Sequence, residues 1–221
     1  MKLKTIIKII IDFLMTIGLL LLMAFELLGR AAHEWIGAGM FLLFIIHHIL
    51  NRKWSKNLFN GRYTAYRVMQ TILVISVFLT MMGSFISAII LSRHVFAFLP
   101  ISGGRNFARI LHLLSAYWGF VLMSLHIGLH WETMMGMVRR LVKRPSRIRN
   151  IFLRCLSALI IIYGMYAFTH REIGSYMMLK TTFVFFDFEE PLIWFYIDYI
   201  AIMGLFVALG YYLAKLLRRA S

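Results

Sequence analysis

Two segments of the chain carry histidines at matched intervals. HEWIGAGMFLLFIIHHILN, residues 33 to 51, sets His33 and His47 14 positions apart, and HLLSAYWGFVLMSLH, residues 112 to 126, does the same with His112 and His126. On an α-helix such a step advances about 21 Å and ends about 40° from the starting direction. Each pair of imidazoles therefore lies on one helix face. Iron porphyrin takes one axial ligand on each side, and imidazole nitrogen is a common choice. Two co-directional helices with this spacing offer facing imidazoles at two levels. The chemistry that fits is bis-histidine ligation of two b-type haems. Covalent attachment of the c type is excluded, because the single cysteine, Cys155, belongs to no C-x-x-C-H motif.

Neighbouring residues extend the pattern. Arg30 precedes His33 by three positions and Arg109 precedes His112 by three. An arginine one turn beyond the ligand is placed to hold a haem propionate by charge-assisted hydrogen bonds, or to mark the membrane boundary. Asn51 and His130 each follow the second histidine of their segment by four. Gly37, Gly39 and Gly119 lie between the paired histidines and give room for a porphyrin edge or for close helix packing. His48 points about 100° away from His47, toward another helix or the interface. His130 shares the face of His112 and is the alternate to His126 as second ligand. The equal intervals favour His47 with His126.

The elements that must position these side chains are membrane spans. The chain has 221 residues, 61% of them hydrophobic and 15% charged, well below the roughly 25% charged residues of a soluble domain. A spanning helix needs about 20 mostly apolar residues, and six segments qualify: 8–29, 33–50, 67–92, 109–133, 150–169 and 191–214. The fold expected is a single all-α transmembrane domain over 1–221, with both haems between the second and fourth spans. The first apolar run is long for a signal peptide and lacks a small-x-small cleavage site, so it reads as an uncleaved span.

Charge sets the orientation. Lys2, Lys4 and Lys8, the cluster from Arg52 to Arg67, the cluster from Arg139 to Arg154, and Lys215, Arg218 and Arg219 all fall on one side of a six-span arrangement. They make up 18 of the 24 basic residues. The positive-inside rule makes that side cytoplasmic, with both termini there. The formal charge of +15 is thus a topology signal with attraction to anionic lipid, and nucleic acid is not an expected partner. The opposite side carries the connection THREIGSYMMLKTTFVFFDFEE, residues 169 to 190, which is either a docking surface for a redox partner or an aromatic belt. Asp12, Glu26 and Asp198 lie in or near spans, where charge is costly and often functional. Asp12 lies close enough to the basic start to pair there. Cys155, among apolar neighbours, reads as a packing residue.

The segments HEWIGAGMFLLFIIHHILNRKW and HLLSAYWGFVLMSLHIGLHW resemble those of the flavinylation-associated cytochromes, a family of bacterial membrane b-type cytochromes. YGMYAFTHREIGSYMMLKTTFVFFDFEEP and WFYIDYIAIMGLF are similar to the second half of such proteins, so the likeness covers most of the chain. It implies residence in the bacterial cytoplasmic membrane and electron delivery to an extracytosolic flavoprotein with covalently attached FMN. The spacing also resembles that of cytochrome b and the ferric reductase membrane domain. No soluble FAD or NAD module is present, which argues against a self-contained NADPH-driven reductase.

A six-coordinate iron has no open position for oxygen chemistry, so electron transfer is the expected activity, as a subunit of a quinol-linked oxidoreductase system. A quinol in the membrane is the simplest donor and a bound quinone a possible second cofactor. Candidate proton acceptors for it are His94, His170, Glu34, Asp187 and Glu190 on one side and His48, His130 and Glu132 on the other, with a solvated loop or helix-end role the commoner one for each. A quinone-reducing cytochrome running in reverse, and a haem-free transition-metal transporter using the same histidines, are the alternatives. A purely structural anchor for a larger complex is another. Oligomeric state is not encoded in these patterns.

Overall fold

The computed structural model describes residues 3–58, 60, 62–141 and 146–219, with 140 and 141 described by backbone only. Lys2, Lys143 and Arg144 of the basic clusters lie outside the described residues. The described chain is all-helical: α1 (Leu3–Met23), α2 (Phe25–Leu28), α3 (Arg30–Lys56), α4 (Ala65–Leu91), α5 (Arg105–Leu141), α6 (Arg147–His170), α7 (Ile173–Met177) and α8 (Leu192–Arg219). Six of these, α1, α3, α4, α5, α6 and α8, are long and apolar enough to cross a membrane. Large apolar side chains such as Ile10, Phe13, Leu79, Leu159 and Ile162 face outward, as a surface in contact with lipid requires.

Local chemistry explains several boundaries. The predicted first span, 8–29, is interrupted: α1 stops at Met23, α2 makes one turn, and Gly29 at φ +82° starts α3. Thr64 caps α4 by accepting from Arg67 N, and Ser146 caps α6 by accepting from Arg149 N. α5 has 37 residues, about 55 Å at 1.5 Å per residue, so it extends past any single bilayer core.

α5 is the central helix, packed between α4 and α8, while α6 lies on the far side of α8 and α1 pairs with α3. Glycines permit the closest approaches. A Cβ on Gly128 would come within 2.3 Å of Val207 O, and one on Gly210 within 2.4 Å of Leu125 O. α5 and α8 therefore meet backbone to backbone, the small-residue packing typical of membrane helices. α3 is different. Its backbone barely approaches α4, and the interval is bridged by large side chains. Phe41 stacks on Phe85 with centroids 3.4 Å apart, Phe44 meets Phe78 at 5.8 Å and His48 meets Phe78 at 5.7 Å.

The connection from 169 to 190 is only partly a surface loop. Its first part folds inward as α7, with Ile173, Tyr176 and Met177 buried. Tyr176 stacks on Tyr117 at 4.8 Å and Trp118 Nε1 donates to Met177 O at 2.9 Å. Glu172 and Leu179, both at positive φ, flank this turn. The later aromatics Phe183, Phe185 and Phe188 are exposed.

Candidate functional site

The two helices singled out by their histidines run in the same direction, and at their N-terminal ends His33 and His112 meet. The ring centroids are 6.0 Å apart and the planes inclined by 69°. Imidazole nitrogen binds a first-row metal at about 2 Å, which puts two rings on opposite sides of one iron about 6 Å apart between centroids. The separation therefore fits axial ligation of a single iron.

The hydrogen bonding at this level also fits. His112 Nδ1 lies 3.0 Å from Ser87 Oγ and 3.2 Å from Ser84 O. Ser87 is fully buried and its own hydroxyl donates to Gly83 O at 2.7 Å and Ser84 O at 2.9 Å. Ser87 Oγ and Ser84 O are thus acceptors for His112 Nδ1–H, which leaves Nε2 with its lone pair. A partner of this kind sets the tautomer and aim of a metal-binding histidine. His33 Nδ1 is buried without a well-formed hydrogen bond, the Leu22 backbone being its polar neighbour, and the edge of Phe25 packs on its ring at 4.9 Å. Arg30 is exposed and lies over Phe25 at 5.8 Å, and Arg109 is exposed one turn from His112.

At the other end the histidines gather but do not pair as simply. His126 has His130, His47 and His48 as titratable neighbours. The close ring contacts are His126 with His130 at 4.8 Å and His47 with His48 at 5.6 Å. His126 Nδ1 is buried without a partner. His48 Nδ1 donates to Phe44 O at 2.9 Å, a helix-backbone contact that matches its divergence from the His47 face. His47 Nδ1 lies 2.7 Å from Asp12 Oδ1, and Asn51 Nδ2 donates to His47 O at 2.9 Å. Lys8 reaches Asn51 Oδ1 at 2.6 Å. The expected pairing of Asp12 with the basic start is thus replaced by one with His47. Among the described residues no three His, Cys, Asp or Glu converge to hold a bare metal ion; axial ligation of haem asks for only two imidazoles.

Gly119 and Gly37 take the helix-packing alternative, and the expectation for Cys155 changes. Gly119 packs against Thr80, with a notional Cβ 3.5 Å from its Oγ1, so it serves the α4–α5 contact. Gly37 faces Leu22 of α1 and Gly39 is exposed; the buried residues on the His33 and His47 face are Met40 and Phe44. Cys155 is exposed and packs no core.

Most of the proposed proton acceptors already have partners. Glu34 accepts from Ser92 Oγ at 2.6 Å and from the backbone N–H groups of Arg93, His94 and Val95 at 3.0, 2.8 and 3.1 Å. It clasps the start of α3 to the end of α4. Glu132 pairs with Arg218, which also donates to Tyr66 Oη at 2.8 Å. His170 stacks on Tyr166. Glu190 and Asp198 share Arg171: Nη1 donates to Glu190 Oε2 at 2.7 Å and Nε to Asp198 Oδ2 at 2.7 Å. Tyr163 Oη donates to Asp198 Oδ1 at 2.5 Å. Burial acts to lower the Arg171 pKa, but hydrogen bonds and charge from Glu190 and Asp198 outweigh it and hold the guanidinium above its ordinary value.

An apolar groove of about 490 Å³ between α4, α5 and α8 is lined by residues such as Ile72, Leu73, Leu125 and Leu129 and carries no titratable side chain. It suits an acyl chain better than a quinol headgroup, which needs a proton acceptor. Comparison with known proteins finds no match: no family model, no curated protein and no solved structure aligns with the chain.

Proposed function

We propose that this chain is a dihaem b-type membrane cytochrome that carries electrons across the bilayer, from a quinol to an extracytosolic flavoprotein bearing FMN. One observation carries the reading. His33 and His112, on two helices that otherwise hardly touch, face each other at 6.0 Å with one ring fixed by Ser84 and Ser87. In this assignment His33 and His112 hold the outer haem, and His47 with His126 holds the inner one, with His130 as the alternate ligand. Arg30 and Arg109 serve the outer propionates. The basic residues gather at the His47 end, which by the positive-inside rule is the cytoplasmic end, with both termini there. Bound haem supplies a one-electron couple at each level. The protein fixes the imidazoles and excludes water with Phe41, Phe44, Phe78 and Phe85 between the levels. The flavoprotein partner and bacterial cytoplasmic-membrane location follow from the family resemblance.

The test is haem per chain in single variants. His33→Ala and His112→Ala are expected to lose the same haem, and His47→Ala and His126→Ala the other, each leaving about half the wild-type content. Full haem in any of the four removes that ligand from the assignment. The alternative from the sequence, a haem-free transition-metal transporter, lacks a converging ligand set among the described residues. Stoichiometric divalent metal without porphyrin favours it.

A further inference from the structure

From Ala65 to Ser76 the apolar groove between α4, α5 and α8 follows α4 for about 16 Å at 1.5 Å per residue. Half of a hydrocarbon core of about 30 Å is one leaflet, so the groove is as long as one leaflet is deep. Leu122, Leu125 and Leu129 of α5 line it between Ile72 of α4 and Leu213 of α8. Its origin lies in how the three helices pack. Gly128 and Gly210 draw α8 onto α5 at this level, whereas Gly83 and Gly119 draw α4 to α5 farther along. No glycine occurs between Ala65 and Ser76, and α4 and α8 touch little directly. Val68 and Ile72 on the α4 wall are 41% and 60% exposed, so the groove opens sideways to lipid.

The groove ends where all three helices are tied by one cation. Arg218 of α8 pairs with Glu132 of α5, and its Nη2 donates to Tyr66 Oη of α4 at 2.8 Å and to Leu129 O at 3.3 Å. Its Nε–H has no acceptor among the described residues, and the side chain is 36% exposed. At this end of α4, α5 and α8, Glu132 is the only acid among the described residues, against Arg62, Arg67, Arg139, Lys215, Arg218 and Arg219. Arg67 donates to the carbonyl of Asn57 and Lys215 lies over the ring of Tyr211, so neither is neutralised by a carboxylate. An apolar channel one leaflet deep with a cationic mouth matches a phospholipid whose headgroup is anionic. Its phosphate would accept a charge-assisted hydrogen bond from Arg218, and nearby lysines and arginines attract an anionic headgroup at the membrane surface. We infer that this groove binds one anionic phospholipid, whose acyl chain bridges α4 and α8 where neither helix fills the space. No histidine lines it, so the site is separate from the proposed haem levels.

The experiment is native mass spectrometry of the purified, delipidated full chain titrated with dioleoyl phosphatidylglycerol. Dioleoyl phosphatidylcholine, with the same tails and no net charge, is titrated in parallel. One saturable phosphatidylglycerol per chain is expected, bound at least about tenfold more tightly than phosphatidylcholine. Ile72→Trp and Val68→Trp, at lipid-facing positions, should fill the groove and weaken phosphatidylglycerol binding by about tenfold or more. Arg218→Gln should leave a bound lipid but reduce the preference between the two to within about twofold. Because Arg218→Gln also loosens a contact among three helices, the wild-type preference and the tryptophan variants carry the test if it fails to fold. Equal affinity for the two lipids in wild type overturns the inference, as does undiminished phosphatidylglycerol binding in both tryptophan variants. A dimer that Ile72→Trp splits would assign the groove to a second copy of the chain and overturn it too.

Discussion

Arg171 sits just beyond α6, between Glu190 of the following connection and Asp198 of α8, with side-chain exposures of 16%, 18% and 6%. Two carboxylates share one guanidinium, and Tyr163 supplies a further donor to Asp198. Arg171→Ala removes the only cation of this cluster among the described contacts and leaves two carboxylates side by side in a mostly buried place. Removing one partner of a buried ion pair costs about 3–5 kcal/mol, and the second stranded carboxylate places the expected loss toward the upper end. Asp198→Asn leaves the bidentate Arg171–Glu190 pair intact, so its cost is about 1.5–3 kcal/mol, that of one hydrogen bond to a charged group. The triple variant Arg171→Met, Glu190→Gln, Asp198→Asn removes every charge and should recover part of the loss, because an apolar replacement of a whole buried pair is often near neutral. The raised pKa of Arg171 contributes stability that is fully present below the ordinary arginine pKa and is lost only above it. Reversible unfolding in mixed detergent, followed by tryptophan fluorescence, reads these values. A deficit under about 0.5 kcal/mol for Arg171→Ala, or a triple variant less stable than the single one, refutes the reasoning.

Other contacts give equally direct tests. Gly128→Ala and Gly210→Ala each put a Cβ within 2.4 Å of a backbone oxygen on the facing helix, so both should separate α5 from α8 and cut folded yield sharply. Gly39→Ala meets nothing within 4 Å and should be neutral or stabilise by up to about 1 kcal/mol through helix propensity; equal yields for all three variants contradict the packing described. Glu34→Ala strips the acceptor from Ser92 and three backbone N–H groups. Charge-assisted bonds of about 1.5–3 kcal/mol imply at least tenfold faster amide exchange at Arg93, His94 and Val95, measurable by mass spectrometry, and unchanged exchange there contradicts the clasp.

The sequence made the span pattern legible because hydropathy and charge act locally. Six apolar runs became six long helices, with ends shifted where a cap or glycine intervened, as at Thr64 and Gly29. The co-directional histidine helices followed from counting spans, and the equal spacing anticipated the meeting of His33 with His112. What could not be read depended on partners far along the chain. Asp12 lies one turn from Lys8, so sequence proximity favoured that pair, but helix packing delivers His47 from 35 residues away. Ser84 and Ser87 share a face of α4, and their value as anchors appears only once α5 sets His112 beside them. α7 is too short for a periodicity signal, and its burial comes from Tyr117 and Trp118 on another helix. Glycines illustrate the same limit: Gly119 and Gly128 look alike in sequence, yet one meets a threonine side chain and the other a backbone carbonyl.

The central claim concerns haem, and one measurement addresses it most directly. The purified full chain, from cells supplied with haem, is reduced with dithionite for a reduced-minus-oxidised spectrum, and a pyridine haemochrome assay gives haem per polypeptide. The account predicts the α-band of six-coordinate b haem and a ratio near two. A ratio near one leaves a single histidine level as the site, and protein that folds without haem contradicts the account.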